Sequence, residues 1–224
     1  MGLTLLNINN NTPFFPFSTS DENDSFSIAL ETTEKVVEVI EQRVDDNYSL
    51  LKDRIVAGLT DDVLLVEKVS NNISKNNIIY QGQDISLSPY QDEDISVVNI
   101  LNLLGLANFG SNGTQFLTAF LTSILKDVLA SSNVKSVGFN GVMYSLLEDK
   151  IMCKSNETEN FTIDSIMLYS TVCGCGLDMV PVPGDISEEE IGSMILDVAA
   201  TSIKLNKPLG FRILPIIGKR ERES

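Results

Sequence analysis

Strand-like and helix-like segments alternate along the 224 residues, and this alternation limits the possible folds more than any other feature. Residues 78–87 alternate apolar and polar side chains and predict a strand, whereas residues 95–104 have helical spacing and end at Gly105. This order is typical of α/β proteins with a mostly parallel sheet. We expect a single α/β domain over residues 1–224, with helices packed outside a barrel-like or open sheet.

Periodicity, caps and turns predict the remaining elements. Residues 25–58 carry apolar side chains at steps of three and four, which predicts helix with a break near Asp45, and the pattern resumes to residue 73. A short coiled coil is the alternative for this region. The other predictions are strands at the start of 3–17 and at 134–144, 177–182 and 208–215, and helices at 116–129, 162–172 (capped by Thr162) and 187–205 (opened by a capping box).

Charge and composition exclude several classes of partner. Asp and Glu outnumber Lys and Arg by 31 to 16, a net charge of −15, which repels nucleic-acid phosphates and anionic lipid headgroups. No apolar run reaches the ~20 residues needed to span a bilayer, and the amino terminus lacks the basic region of a secretory signal. We therefore expect a cytoplasmic protein that binds neither nucleic acid nor membrane.

Histidine is absent, so the usual neutral-pH general base and the commonest transition-metal ligand are both missing. Proton transfer would have to use carboxylates, Lys, Tyr or Cys. The three cysteines, Cys153, Cys173 and Cys175, are too few for a disulfide scaffold and indicate reduced thiols.

The block Val172-Cys-Gly-Cys-Gly-Leu-Asp-Met-Val-Pro-Val-Pro-Gly-Asp resembles an uncharacterised protein family of unknown function. Its fold is likened to the pyruvate formate-lyase-type barrel of glycyl-radical enzymes. Further matching blocks cover nearly the whole chain and include Asn11, Asp84, Glu148, residues 110–114 and residues 205–215. The resemblance implies that this chain corresponds to the later part of a longer family member. It also implies either a homo-oligomer or a partner chain that supplies missing strands.

Cys173 is a candidate catalytic residue because it lies in the matching block. A thiyl radical would need a glycyl partner, and the block Pro208-Leu-Gly-Phe211 lacks the Arg-Val that precedes such a glycine. A Cys173–Cys175 disulfide would be strained, and a structural zinc site needs about four ligands. Cys175 is better explained as a packing residue beside the turn glycines.

Two further groups of residues are candidates for ligand binding. Residues 110–114 precede a predicted helix, where Ser111 and Thr114 either help to hold an anion or simply cap the helix. Asn11 and Asp84 are assigned to ligand binding because they lie in matching blocks.

Five carboxylates lie at predicted strand ends or turns, where ligands of parallel sheets gather. Glu148 and Asp178 are the candidates for a general acid and base, and the others are Asp84, Asp149 and Asp185. Converging oxygen ligands would suit a hard cation such as Mg²⁺ or Ca²⁺. The resulting hypothesis is a small-molecule enzyme or metabolite-binding protein, and the alternative is a non-catalytic interaction or regulatory subunit.

Overall fold

The computed structural model describes residues 2–5, 24–42, 47–74, 78–156 and 161–218. Helices and strands are mixed along these ranges, which confirms the α/β class. The strands are β1 (Gly2–Leu5), β2 (Ser25–Ala29), β3 (Ile79–Asp84), β4 (Gly176–Pro183) and β5 (Leu209–Ile216). The helices are α1 (Thr33–Glu41), α2 (Tyr48–Ile73), α3 (Val97–Leu103), α4 (Thr114–Ser132), α5 (Lys150–Asn156), α6 (Ile163–Ser170) and α7 (Glu188–Leu205).

The strands form two short sheets. In one, β5 lies between β4, to which it is parallel, and β1, to which it is antiparallel. In the other, β2 and β3 are parallel. Isolated parallel bridges from Gln83 to Ser136, from Leu87 to Val142 and from Ser145 to Asp178 connect the two sheets through residues 136–145. The pairing therefore runs in the order β2, β3, residues 136–145, β4, β5 and β1, and within the described residues it does not close into a barrel.

Two predictions about elements were wrong. Residues 134–144 form isolated bridges and not a regular strand, because Gly138 (φ 80°) and Asn140 (φ 48°) adopt left-handed conformations that interrupt a ladder. The predicted helix over residues 25–58 begins instead with strand β2, and the helical spacing belongs to α1 and the start of α2.

The predicted caps were confirmed where the sequence marked them clearly. Thr162 caps α6 and Ser187 caps α7, each through a capping box with the residue three positions later. Asn47 accepts a hydrogen bond from the Leu50 N–H and begins α2, close to the expected break at Asp45.

A single cluster of buried apolar side chains joins the helices to the sheet. It includes Leu59 of α2, Leu121 of α4, Leu177 of β4 and Phe211 of β5. None of the helices in the described part of the chain has the length and apolarity that crossing a membrane requires.

Candidate functional site

A cleft of about 400 Å³ opens where the two sheets approach each other. Its lining comes from the ends of β2 and β3 with the residues that follow them, and from residues 143–148 and β5. Three carboxylates and one guanidinium lie among its lining residues, which are Ala29, Leu30, Glu31, Asp84, Ser86, Ser88, Pro89, Met143, Glu148 and Arg212.

Arg212 binds two carboxylates that come from distant parts of the chain. Its Nε donates to Asp178 Oδ1, and its Nη2 donates to Asp178 Oδ2 and to Glu148 Oε2, both at 2.9 Å. The Asp178 side chain is only 1% exposed, whereas the Glu148 side chain is 43% exposed. Asp178 therefore fixes the guanidinium from the protein side, and Glu148 meets it from the cleft side.

A β-bulge directs Asp178 toward Arg212. The register between β4 and β5 shifts between Leu177 and Val180, and Met179 adopts φ 45°. Two residues of β4 thus lie opposite Arg212, and the extra residue changes the direction of the neighbouring side chains. A non-glycine residue with positive φ at such a position is typical of functional sites.

Burial and the arginine act in opposite directions on Asp178. Loss of solvent raises the pKa of its carboxyl above the usual value, and the Arg212 guanidinium partly offsets that rise. On the cleft side, the Ser145 hydroxyl donates to Glu148 Oε2 at 2.6 Å, so the same oxygen receives hydrogen bonds from Ser145 and Arg212.

Asp84 lines the cleft, but its carboxylate is occupied by the chain itself. Its Oδ1 accepts hydrogen bonds from the Ser86 N–H and hydroxyl and from the Asn140 N–H, and its Oδ2 accepts from the Phe139 N–H. This carboxylate ties the end of β3 to residues 138–140 and shapes one wall of the cleft.

Cys173 is buried and is not among the described residues that line the cleft. Cys173 and Cys175 are both almost fully buried, and the Lys207 ammonium donates to the backbone carbonyls of Cys173 and Ser170. A hydrogen bond from the Cys175 thiol, with help from Lys207, lowers the pKa of Cys173 to about 6 against the effect of burial. The same hydrogen bond raises the pKa of Cys175.

Ser111 and Thr114 lie in a closed turn before α4, away from the cleft lining. The Ser111 hydroxyl donates to Asn108 O at 2.6 Å. Thr114 Oγ1 donates to Ser111 O at 2.8 Å and accepts from the Gly110 N–H at 3.2 Å. These contacts close the turn, but the N-cap residue of α4, Gly113, provides no side-chain cap, so Ser111 and Thr114 do not cap the helix.

Asp149 also has a structural role, since its buried carboxylate accepts from the Ser96 hydroxyl and from the N–H groups of Val97 and Met152. It thereby stabilises the starts of α3 and α5. Asp185 lies exposed in the turn before α7.

Of the predicted site residues, Glu148 and Asp178 meet at Arg212, and Asp84 lines the same cleft. Cys173, Ser111 and Thr114 are not among the lining residues. Asn11 lies outside the described residues. The described residues include no group of three or more carboxylate or thiol side chains placed to hold a metal ion. The hypothesis of a hard cation therefore rests on the sequence alone.

Sequence reasoning missed Arg212. The available signal was a charge within an apolar strand, since Phe211 and Ile213 on either side of it are almost fully buried. An arginine in a central strand requires a partner, and Asp178 in the neighbouring strand supplies it.

Fold and site define an α/β protein with a guanidinium held by two carboxylates at the edge of a cleft. The chain belongs to the family described as Uncharacterised ACR (DUF711), which it matches over residues 3–224. This membership confirms the expectation of an uncharacterised family, and the likeness to a pyruvate formate-lyase-type barrel stays a prediction.

Curated relatives carry the name UPF0210 protein. One from Pyrobaculum arsenaticum is 27% identical over 218 residues, which cover 96% of this chain and 49% of the relative. Another from Pyrobaculum aerophilum is 30% identical over 195 residues, covering 86% and 43%. A third, from Lactobacillus delbrueckii subsp. bulgaricus, is 36% identical over 143 residues, covering 63% and 32%. The chain thus spans about half the length, or less, of these relatives.

Proposed function

We propose that this chain binds a small polar molecule in the cleft, and that Glu148 and Arg212 contact it directly. The observation that carries the proposal is that Arg212 binds both Asp178, 34 positions away in sequence, and Glu148, 64 positions away, at the edge of a cleft of about 400 Å³. Clefts of this size with a few convergent polar groups are the usual form of small-molecule sites.

The charge balance of the cleft supports a particular chemistry for the ligand. Among the described lining residues, Glu31, Asp84 and Glu148 stand against one cation, Arg212, which Asp178 already pairs. An anion would meet net repulsion there. A molecule with hydroxyl or amino groups would instead donate hydrogen bonds to the carboxylates and accept one from the guanidinium.

The same geometry supports an acid–base role. Glu148 is the half-exposed carboxylate of the group, so it is the one that can accept a proton from a ligand hydroxyl or amine. Arg212 would stabilise negative charge on a neighbouring ligand oxygen, and the buried Asp178 would hold the guanidinium in place. On this proposal Glu148 and Arg212 touch the ligand, and Asp178 is a positioning residue.

Ligand-dependent unfolding tests the proposal. The unfolding midpoint of the wild type is measured with separate panels of small polyols, amines and carboxylic acids. We expect a rise with members of the first two panels, because a ligand that binds only the folded state stabilises it. The rise should be lost in Glu148→Gln, and it should persist in the control Glu189→Gln, which changes an exposed side chain in the first turn of α7.

Absence of any rise, or a rise that survives Glu148→Gln, would contradict binding through Glu148. The first of these outcomes would favour the alternative, a non-catalytic interaction or regulatory subunit. The observation in favour of that alternative is β2, which within the described residues pairs with β3 on one side only. An unpaired strand edge can be extended by another chain.

A further inference from the structure

Helix α7 packs on β5 and β1 through one face and presents an apolar stripe on the other. Val198 and Ser202 point to the sheet and are almost fully buried. On the outer face, Leu196 is 69% exposed and Ile203 is 80% exposed. Isolated exposed apolar residues are common, but these two lie on one side of one helix.

Small and complementary residues complete this stripe. Ala200 is exposed between Leu196 and Ile203, at steps of four and three residues, which places all three side chains on the same face. Asp197 and Lys204 each follow one of the large apolar residues. Neither makes a salt bridge with another of the described residues.

The arrangement is self-complementary. A two-fold axis perpendicular to α7 near Ala200 brings a second copy of the helix alongside in the antiparallel direction. Leu196 lies four residues before Ala200 and Ile203 three residues after it, so Leu196 of one copy meets Ile203 of the other. By the same symmetry Asp197 meets Lys204 of the other copy, which pairs opposite charges on both sides of the axis.

We infer that α7 is the contact surface of a homodimer, in which two copies of this chain pack their α7 helices antiparallel around Ala200. The methyl group of Ala200 lets the two helix backbones approach closely at the axis, while Leu196 and Ile203 pack on either side of it. We identify the partner as a second copy of this chain because the α7 surface is complementary to itself: its apolar residues meet apolar residues and its charges meet opposite charges.

Analytical ultracentrifugation of the full 224-residue chain, from micromolar to millimolar concentration, tests the inference. The wild type should reach a dimer. Ile203→Glu should weaken the dimer at least about tenfold, because it replaces a buried apolar contact with a charge. The matched control is Leu65→Glu on α2, where the leucine is 59% exposed, and it should leave the dimer unchanged. Both side chains are exposed in the monomer, and circular dichroism confirms that each variant folds.

Charge reversal shows whether the partner is a second copy. Asp197→Lys places lysine against Lys204 of the partner, and Lys204→Asp places two aspartates together, so each single variant should weaken the dimer. The double variant restores opposite charges across the axis and should recover most of the wild-type association.

Three results would overturn the inference: a wild type that stays monomeric throughout, an Ile203→Glu variant that dimerises as tightly as the wild type, or a double variant no better than the singles. The last would show that the chain associates through another surface or in another register.

Discussion

Identical carboxylates have different roles in this protein because of what they bind. Asp84 and Asp149 accept hydrogen bonds from backbone N–H groups and thereby hold separate segments together. Asp178 instead accepts hydrogen bonds from the Arg212 guanidinium, which lines the cleft. Glu148 differs from all three in its exposure. Residue type and position at a strand end therefore do not separate acids that hold backbone segments together from acids that bind Arg212, but hydrogen-bond partners do.

At the same scale, the two buried cysteines should titrate as one pair that shares a proton. Because the neighbouring Cys175 and the charge of Lys207 lower the pKa of Cys173, we expect thiolate absorbance to appear with a midpoint near pH 6. Cys173→Ser should abolish that transition. Cys153→Ser is the control and should keep it, because burial raises the pKa of Cys153.

The pH dependence of stability has a defined sign for Cys173. The pKa of Cys173 in the folded chain, about 6, lies below the ordinary value of 9.0. The Cys173 thiolate therefore adds to the free energy of unfolding fully above pH 9, and this stabilisation is lost as the pH falls through 6. Wild-type stability measured across this window, minus that of Cys173→Ser, should therefore decrease with falling pH. A difference that is flat or of opposite sign would contradict a low Cys173 pKa.

At the scale of elements, the junction between β3 and residues 138–140 depends on one glycine. A Cβ on Gly138 would lie 2.0 Å from Asp84 Oδ2, and Gly138 has φ +80°. Gly138→Ala must therefore displace the Asp84 carboxylate from the Phe139 and Asn140 N–H groups, and we expect a loss of roughly 2–4 kcal/mol in urea unfolding.

Gly105→Ala is the matched control for this substitution. Gly105 has a similar φ of +96°, but an added Cβ would meet nothing within 4 Å. Gly105→Ala should lower the free energy of unfolding only by the cost of a left-handed backbone conformation for alanine, about 1–2 kcal/mol. Equal losses in the two variants would show that contact with Asp84 contributes nothing.

Local signals predicted those elements that depend on local chemistry. The Thr162 and Ser187 caps and the alternation in β3 were readable because each acts within a few residues. Strand β2 was missed because its five residues precede a helical pattern that hid them. The site was only partly predictable: Glu148 and Asp178 stood at strand ends, but Arg212 joins them through contacts 34 and 64 positions apart in sequence.

At the scale of the whole molecule, the cluster formed by Glu148, Asp178 and Arg212 connects three separate segments of the chain. Asp178 belongs to β4, Arg212 to β5, and Glu148 to the segment that leads from residues 136–145 into α5. A cluster that links separate parts of a chain couples their stabilities, so its loss should affect the unfolding of the domain as a whole.

Removing Arg212 from this cluster should destabilise the folded chain strongly. Arg212→Met leaves the 1% exposed Asp178 carboxylate without its cation, and we expect a loss of about 3–5 kcal/mol in urea unfolding. Glu148→Gln should cost less than about 1 kcal/mol, because the Glu148 side chain is 43% exposed and solvent screens its ion pair.

A double-mutant cycle separates the interaction free energy of Arg212 with Asp178 from the cost of leaving one buried charge unpaired. Arg212→Met with Asp178→Leu removes both charges from the interior, so the double variant should be more stable than Arg212→Met alone. Burial raises the pKa of Asp178, so the Arg212→Met variant should also recover stability as the pH falls and the lone carboxyl takes up a proton. Additive losses, with no recovery at low pH, would mean that Asp178 and Arg212 act independently and that the buried carboxylate does not position the guanidinium.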